Sequence, residues 1–207
     1  MRILAIADTV PPAVEADAFP ANLPPFDLVV SAGDMPGHVL ELITMRVDTP
    51  PVFVVGNHGE DYLRDPHDGT RRPVGGCLDV HARVVEHAGL LIAGIEGCLR
   101  YRPGPHQYGD LEMEWFAARL APRLLWHRTR GRRLDVLLTH AAPEGPHAGR
   151  DRPHRGVAAF NRLHRWWRPR VHVHGHVHLY GAETGREYVT DEGVRVINAY
   201  GMTLVDL

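Results

Sequence analysis

The run Val171-His172-Val173-His174-Gly175-His176-Val177-His178 places four imidazoles within eight residues. Valine and histidine alternate, the period-two pattern of a strand with two distinct faces. The valine face belongs to a core, and the histidines are expected to come out together on the other. Gly175 interrupts the alternation where backbone bends or approaches a neighbour closely. His176 and His178 then project from a strand end, and neighbouring neutral imidazoles are what a transition metal takes from a protein. By itself the run fits equally a pH-sensing or tag-like polyhistidine, or core histidines satisfied by hydrogen bonds.

Four other places add residues of the ligating type, each at the end of an apolar run. Residues 2–7 end on Asp8, 27–32 on Gly33-Asp34, 51–55 on Gly56-Asn57-His58, and 134–139 on His140. Short runs buried on both faces are strands of a largely parallel sheet, and α/β proteins build sites at the carboxyl ends of such strands. The collected set is Asp8, Asp34, Asn57, His58, His140, His176 and His178. Carboxylate, amide and imidazole without thiolate suit Mn²⁺, Fe or Zn²⁺ in hydrolysis rather than a structural zinc knot.

The elements between these ends must hold them in register. Val39, Leu42 and Ile43 predict a helix over 38–47. Residues 59–80, rich in Gly, Pro, Asp and Arg, read as a loop overhanging the site. Strands are expected at 83–85 and 90–95. Asp110 caps a helix with Glu112 and Glu114 in its first turn and a stripe of Met113, Phe116, Leu120 and Leu124; Pro122 kinks or restarts it. The arginines at 128, 130, 132 and 133 read as its solvated end. A Pro/Gly loop, 141–155, carries His147, Asp151 and His154. Val157, Phe160, Leu163 and Trp167 mark a helix that Pro169 stops. A hairpin (188–190 with 194–197) and a strand (202–207) complete the chain.

Composition bounds the function. With 207 residues the chain is sized for one domain, residues 1–207. Apolar residues at 44% and charged ones at 23% describe a soluble globular protein. No apolar run reaches membrane-span length, and no cleavable leader is recognisable, so no membrane association is expected. Cys77 and Cys98 form no disulfide framework and read as reduced thiols of a cytoplasmic protein. The net charge of −2, with arginine as the only basic residue besides histidine, supplies no global field for nucleic acid.

In order and spacing, the collected residues resemble the calcineurin-like metallophosphoesterases, whose pattern is D-x-H, G-D, G-N-H, a lone His and G-H-x-H. Here those stand as Asp8-Thr9-Val10, Gly33-Asp34, Gly56-Asn57-His58, His140 and Gly175-His176-Val177-His178, spanning the chain. The resemblance implies an α/β fold, a four-layer α/β/β/α sandwich, with the site at strand ends. It implies that Asp34 bridges two metals, that Asn57, His140 and His176 complete one site, and that Asp8 and His178 serve the other. His58 and Asn57 would act on the phosphoryl group, His58 by stabilising the transition state or protonating the leaving oxygen. The implied cofactor is a divalent transition metal, Mn or Fe ahead of Zn, as one or two ions. The implied reaction is hydrolysis of a phosphoester, with a nucleotide or other small phosphodiester as substrate. A degenerate member that binds metal or nucleotide without efficient turnover is the alternative, and a nuclease a third. Oligomeric state is open.

Three positions depart from the family pattern. Val10 replaces the histidine of D-x-H and, on family geometry, faces the metal site; His154 is the candidate replacement ligand. Met35-Pro36-Gly37 follows Asp34, so the carboxylate expected three residues on is absent. Gly59 replaces the acid after Gly-Asn-His, leaving Glu60 or Asp61 to do its work. Arg100, Tyr101, Arg102 and His106, within 97–108, look like a substrate-side loop.

Overall fold

Alternation along the apolar runs produces layers. The computed structural model describes residues 1–59, 63–64, 69–70, 73–179 and 185–207. In β1 (Arg2–Ala7), Ile3, Ala5 and Ala7 enter one apolar cluster while Leu4 and Ile6 enter another. The same division occurs in β9 (Val136–Thr139), where Val136 and Leu138 face one way and Leu137 the other. Strands buried on both faces need cover on both sides, which a four-layer stack provides.

The first sheet has the order β13-β1-β2-β3-β4, with β2 Leu28–Ser31, β3 Val52–Phe53, β4 Leu78–Asp79 and β13 Gly201–Asp206. Within it β1, β2, β3 and β4 run parallel, and β13 closes antiparallel on β1. The second sheet has the order β11-β12-β10-β9-β6-β5. Its members are β5 (Arg83–His87), β6 (Leu90–Ile95), β9, β10 (Val171–His174), β11 (Glu187–Val189) and β12 (Arg195–Asn198). There β6, β9, β10 and β12 run parallel. A two-stranded ribbon, β7 (Cys98–Leu99) with β8 (Gln107–Tyr108), was not expected from the sequence.

The central core lies between the sheets and includes Ile3, Val30, Val54, Ile92, Leu138, Val171 and Val173. Each such side chain contributes about 1.5–3 kcal/mol on burial. A second core holds α1 (Pro12–Glu15) and α2 (Gly37–Thr44) against the first sheet through Val14, Val39, Leu40 and Ile43. A third holds α3 (Asp110–Arg128) and α4 (Ala158–Trp167) against the second sheet. The α/β/β/α sandwich implied by the sequence is therefore the fold.

Two local expectations are corrected. The N-cap of α3 is Gly109, not Asp110: the Glu112 carboxylate accepts the Gly109 N–H at 2.7 Å. Pro122 does not restart the helix, which runs unbroken from Asp110 to Arg128. Pro122 and the residue one turn before it, Ala118, are both exposed, so water meets the carbonyl that the missing N–H leaves free. Among the described residues no helix is long and apolar enough to cross a membrane.

Candidate metal centre

The carboxyl ends of both sheets meet at one rim. Asp8 follows β1, Asp34 lies just beyond β2, Asn57 beyond β3, His140 directly after β9, and His176 just past β10. Asp8, Asp34 and His176 have left-handed backbone, with φ of 66°, 51° and 66°. The chain turns at each of these ends, and the turn aims a side chain across the rim. Asp tolerates that conformation locally; for a histidine it is uncommon and marks a site.

Glycines let the ends approach. A Cβ on Gly56 would fall inside the Asp34 carboxylate. One on Gly175 would lie 2.7 Å from the Ala7 side chain and 2.8 Å from Asp8 Oδ2. In this chain, then, the glycines before Asn57 and His176 make room for the carboxylates opposite.

One atom of each of Asp8, Asp34 and His140 lies within 4.8 Å of the other two, the group among the described residues that could hold a metal. His140 Nδ1–H donates to the Ala32 carbonyl at 2.8 Å, so Nε2 points into the group. Nε2 lies 2.9 Å from Asn57 Oδ1 and 3.4 Å from Asp34 Oδ2. If the ring is neutral, Nε2 and those two oxygens are all acceptors with nothing between them. Either a proton or a cation must join them, and the donor set of two carboxylates, an amide oxygen and an imidazole is one a divalent cation takes. The residues present fit a metal.

The electrostatics agree. Burial alone would lower His140, but Asp34 beside it, with Asp8, raises it to about 9. Burial pushes Asp8 up to about 6. Asp34 is buried too, yet His140 and the His58 N–H, which donates to Oδ1 at 3.0 Å, hold its carboxyl below the usual range. A cation would add to the positive charge that His140 contributes beside these carboxylates.

His176 joins the rim through its backbone, whose N–H donates to both Asp8 oxygens at 3.0 Å. Its ring lies 4.9 Å from that of His140, and Nε2–H donates to the Pro153 carbonyl at 2.9 Å. That leaves Nδ1 with a lone pair, the state a ligand needs. Burial keeps the ring neutral, down to about 3. His178 stands farther out, its ring 4.7 Å from that of Tyr200. Neither belongs to the compact group around Asp34. His58 is exposed and, with Asn57 and Arg102, lines a cavity of about 200 Å³.

Other expectations turn out differently. His172 and His174 do not come out with the other histidines; both are fully buried on the α4 side of the second sheet. Val10, expected to face the site, is partly buried and packs against the apolar cluster that holds α1 and α2. Met35 is buried in that cluster and Pro36 is the N-cap of α2, so the segment after Asp34 serves packing. At Gly59 a Cβ would collide with Val55, which excludes an acid there without movement. Glu60 and Asp61 lie outside the described residues. Of the expected substrate-side loop, Arg100 pairs with Glu112 at 2.9 Å, and the Tyr101 hydroxyl accepts from Asn57 at 3.3 Å.

His106 turns inward. Its Nδ1 lies 3.0 Å from Glu96 Oε1, which also accepts the Tyr108 hydroxyl at 2.5 Å, while the Glu96 N–H donates to His81. This buried carboxylate backs the wall next to Gly59 and was not singled out from the sequence. The available signal was the one used for Asp8: Glu96 directly follows the apolar strand 90–95.

A family model described as calcineurin-like phosphoesterase matches residues 1–180. One solved structure superposes with a TM-score of 0.61 at 16% identity, covering 99% of this chain and 94% of the other. Another, TT1561 of Thermus thermophilus, does so with a TM-score of 0.60 at 16% identity, covering 97% and 89%. At that identity the likeness concerns the fold. No curated protein sequence matches.

Proposed function

Because the chain belongs to the calcineurin-like phosphoesterase family, a family of metal-dependent phosphoester hydrolases, we propose that it hydrolyses a small phosphodiester, a nucleotide or a molecule of that size. The observation that carries this reading is the convergence of Asp8, Asp34 and His140 within 4.8 Å, with His140 Nε2 directed at Asn57 Oδ1. Asp34, Asn57, His140 and His176 would hold one ion, and Asp8, Asp34 and His178 a second. Oxygen and imidazole donors without sulfur suit Mn, Fe or Zn, and the family resemblance puts Mn or Fe first. A bound divalent cation supplies Lewis acidity toward the phosphoryl oxygens and lowers the pKa of the attacking water.

The chain's own groups do the rest. Asn57 and His58 line the 200 Å³ cavity, where His58 donates a hydrogen bond to a phosphoryl oxygen or a proton to the leaving oxygen. Arg102, which lines the same cavity, meets a non-bridging oxygen. Two unpaired thiols, Cys77 and Cys98, fit a protein that works in the reducing cytoplasm.

The test is to strip the protein of divalent cations and assay it on bis(p-nitrophenyl) phosphate and a panel of cyclic and linear nucleotides, with and without added Mn²⁺. We expect hydrolysis only with the cation present. Mn²⁺ binding with no turnover on any phosphoester would overturn the assignment in favour of a degenerate binding protein.

A further inference from the structure

With Val10 packed into an apolar layer, the Asp8 side of the rim lacks the imidazole that D-x-H would supply. The loop between β9 and α4 brings another to that side. His154 has its ring 4.9 Å from that of His176, whose N–H grips the Asp8 carboxylate. The residue before it, Pro153, offers the carbonyl that His176 Nε2–H bonds at 2.9 Å. His154 is close enough to act electrostatically on Asp8, His176 and His178.

The ring is also prepared. Asp151 Oδ2 lies 2.6 Å from His154 Nδ1, which places the ring proton on Nδ1 and leaves a lone pair on Nε2. Nε2 has no hydrogen-bond partner among the described residues. A carboxylate behind an imidazole, fixing its tautomer and raising its basicity, is the usual support of a metal-ligating histidine. The loop is built to hold the pair: the Gly149 N–H donates to the His154 carbonyl at 2.8 Å. A Cβ at Gly149 would lie 2.6 Å from the His154 Cβ and 2.7 Å from Asp151 Oδ1. Arg155 is tied to Asp110 on α3 at 3.0 Å.

The geometry points to His154 as a metal ligand on the Asp8 side, with Asp151 as its positioning residue, so that a loop of the second sheet replaces the missing strand-end histidine of the first. This rests on the metal-centre reading above and adds to it the source of one ligand. An ion pair that merely closes the loop would predict no effect on metal.

Mn²⁺ titration of the metal-free full chain, followed by calorimetry and by electron paramagnetic resonance, separates these readings. Wild type should take up Mn²⁺ in two unequal steps. His154→Ala should weaken the weaker step at least about tenfold and leave the tighter one unchanged. Asp151→Asn should weaken the same step by about tenfold, the low end of the roughly 10–100-fold that losing a partner behind a ligand typically costs. His154→Gln, closer in size, guards against a folding defect in the alanine variant. Two unchanged Mn²⁺ steps in a folded His154 variant would overturn this proposal alone. A wild-type protein that takes up no Mn²⁺ would overturn the metal-centre reading and this proposal with it.

Discussion

His172 and His174 lie within a few residues of His176 and His178, yet the two pairs live in different chemistries. Thr139 Oγ1 donates to the Ala141 carbonyl at 2.6 Å and so accepts from His172 Nε2–H at 2.7 Å. His172 Nδ1 must then accept from His164 Nε2–H at 2.8 Å. His174 Nδ1–H donates to the Gly175 carbonyl at 2.9 Å, and its Nε2 accepts from His147 at 2.8 Å. Each buried ring thus has both nitrogens used and is held neutral. Beyond Gly175 the strand has left the sheet, His176 turns into left-handed backbone, and its ring keeps a nitrogen for the rim. Imidazole is one residue type with two uses, and the bend between the pairs decides which applies.

The widest separation between the pairs should appear in turnover. His176→Ala should lower phosphodiester turnover by ~10³-fold or more, about 4 kcal/mol of barrier, with the thermal midpoint little changed. Retained turnover would move His176 to the structural side of the comparison. His172→Ala should do the reverse. It leaves a cavity beside Phe160 and strips partners from Thr139 and His164, costing about 3 kcal/mol in urea unfolding, with Mn²⁺ affinity within about twofold of wild type. A loss of Mn²⁺ affinity there would mean the two pairs are not independent.

The smallest effect concerns acid. Burial lowers His164 to about 4 and His174 to about 3, and pushes His172 well below its ordinary value. Below about pH 6.5 the unfolded chain binds protons that these folded rings refuse, so their contribution to stability is lost as pH falls. His164→Leu should therefore lose about 2 kcal/mol less than wild type between pH 7.5 and 5, read from urea midpoints in metal-free protein. Equal losses would show that His164 is protonated in the fold.

The same contrast separates what was readable from sequence from what was not. Strand ends were legible because a parallel sheet buried on both faces must be written as an apolar run, and Asp8, Asp34, Asn57, His140 and Glu96 each follow one closely. Both helix stripes were legible for the same reason at period 3.6. Side-chain direction beyond a strand end was not. Period two ceases to apply once φ turns positive, so nothing in Asp8-Thr9-Val10 announces that Val10 packs against the cluster that holds α1 and α2. Alternation marked His172 and His174 as a face but could not say whether water or α4 lay against it. The partnership of Asp151 with His154 depends on a loop whose course is set by Gly149 and by the tie of Arg155 to α3, contacts made across the fold.

The edges of the first sheet bear on how the rim comes into being. β1, which carries Asp8, is hydrogen-bonded on one edge to β2 and on the other to β13, with Arg2 and Asp206 joined at 2.8 Å across 204 positions. As the nascent chain leaves the ribosome, β2 can pair early, but the other edge of β1 stays bare until residues 201–206 emerge. Until then the strand offers an unpaired backbone edge to any neighbouring chain, a hazard for aggregation. A contact so distant in sequence also closes slowly. Asp8 is accordingly synthesised long before its strand is secured, and His140, His176 and His178 are made later still, so in the cell metal uptake would follow translation rather than accompany it.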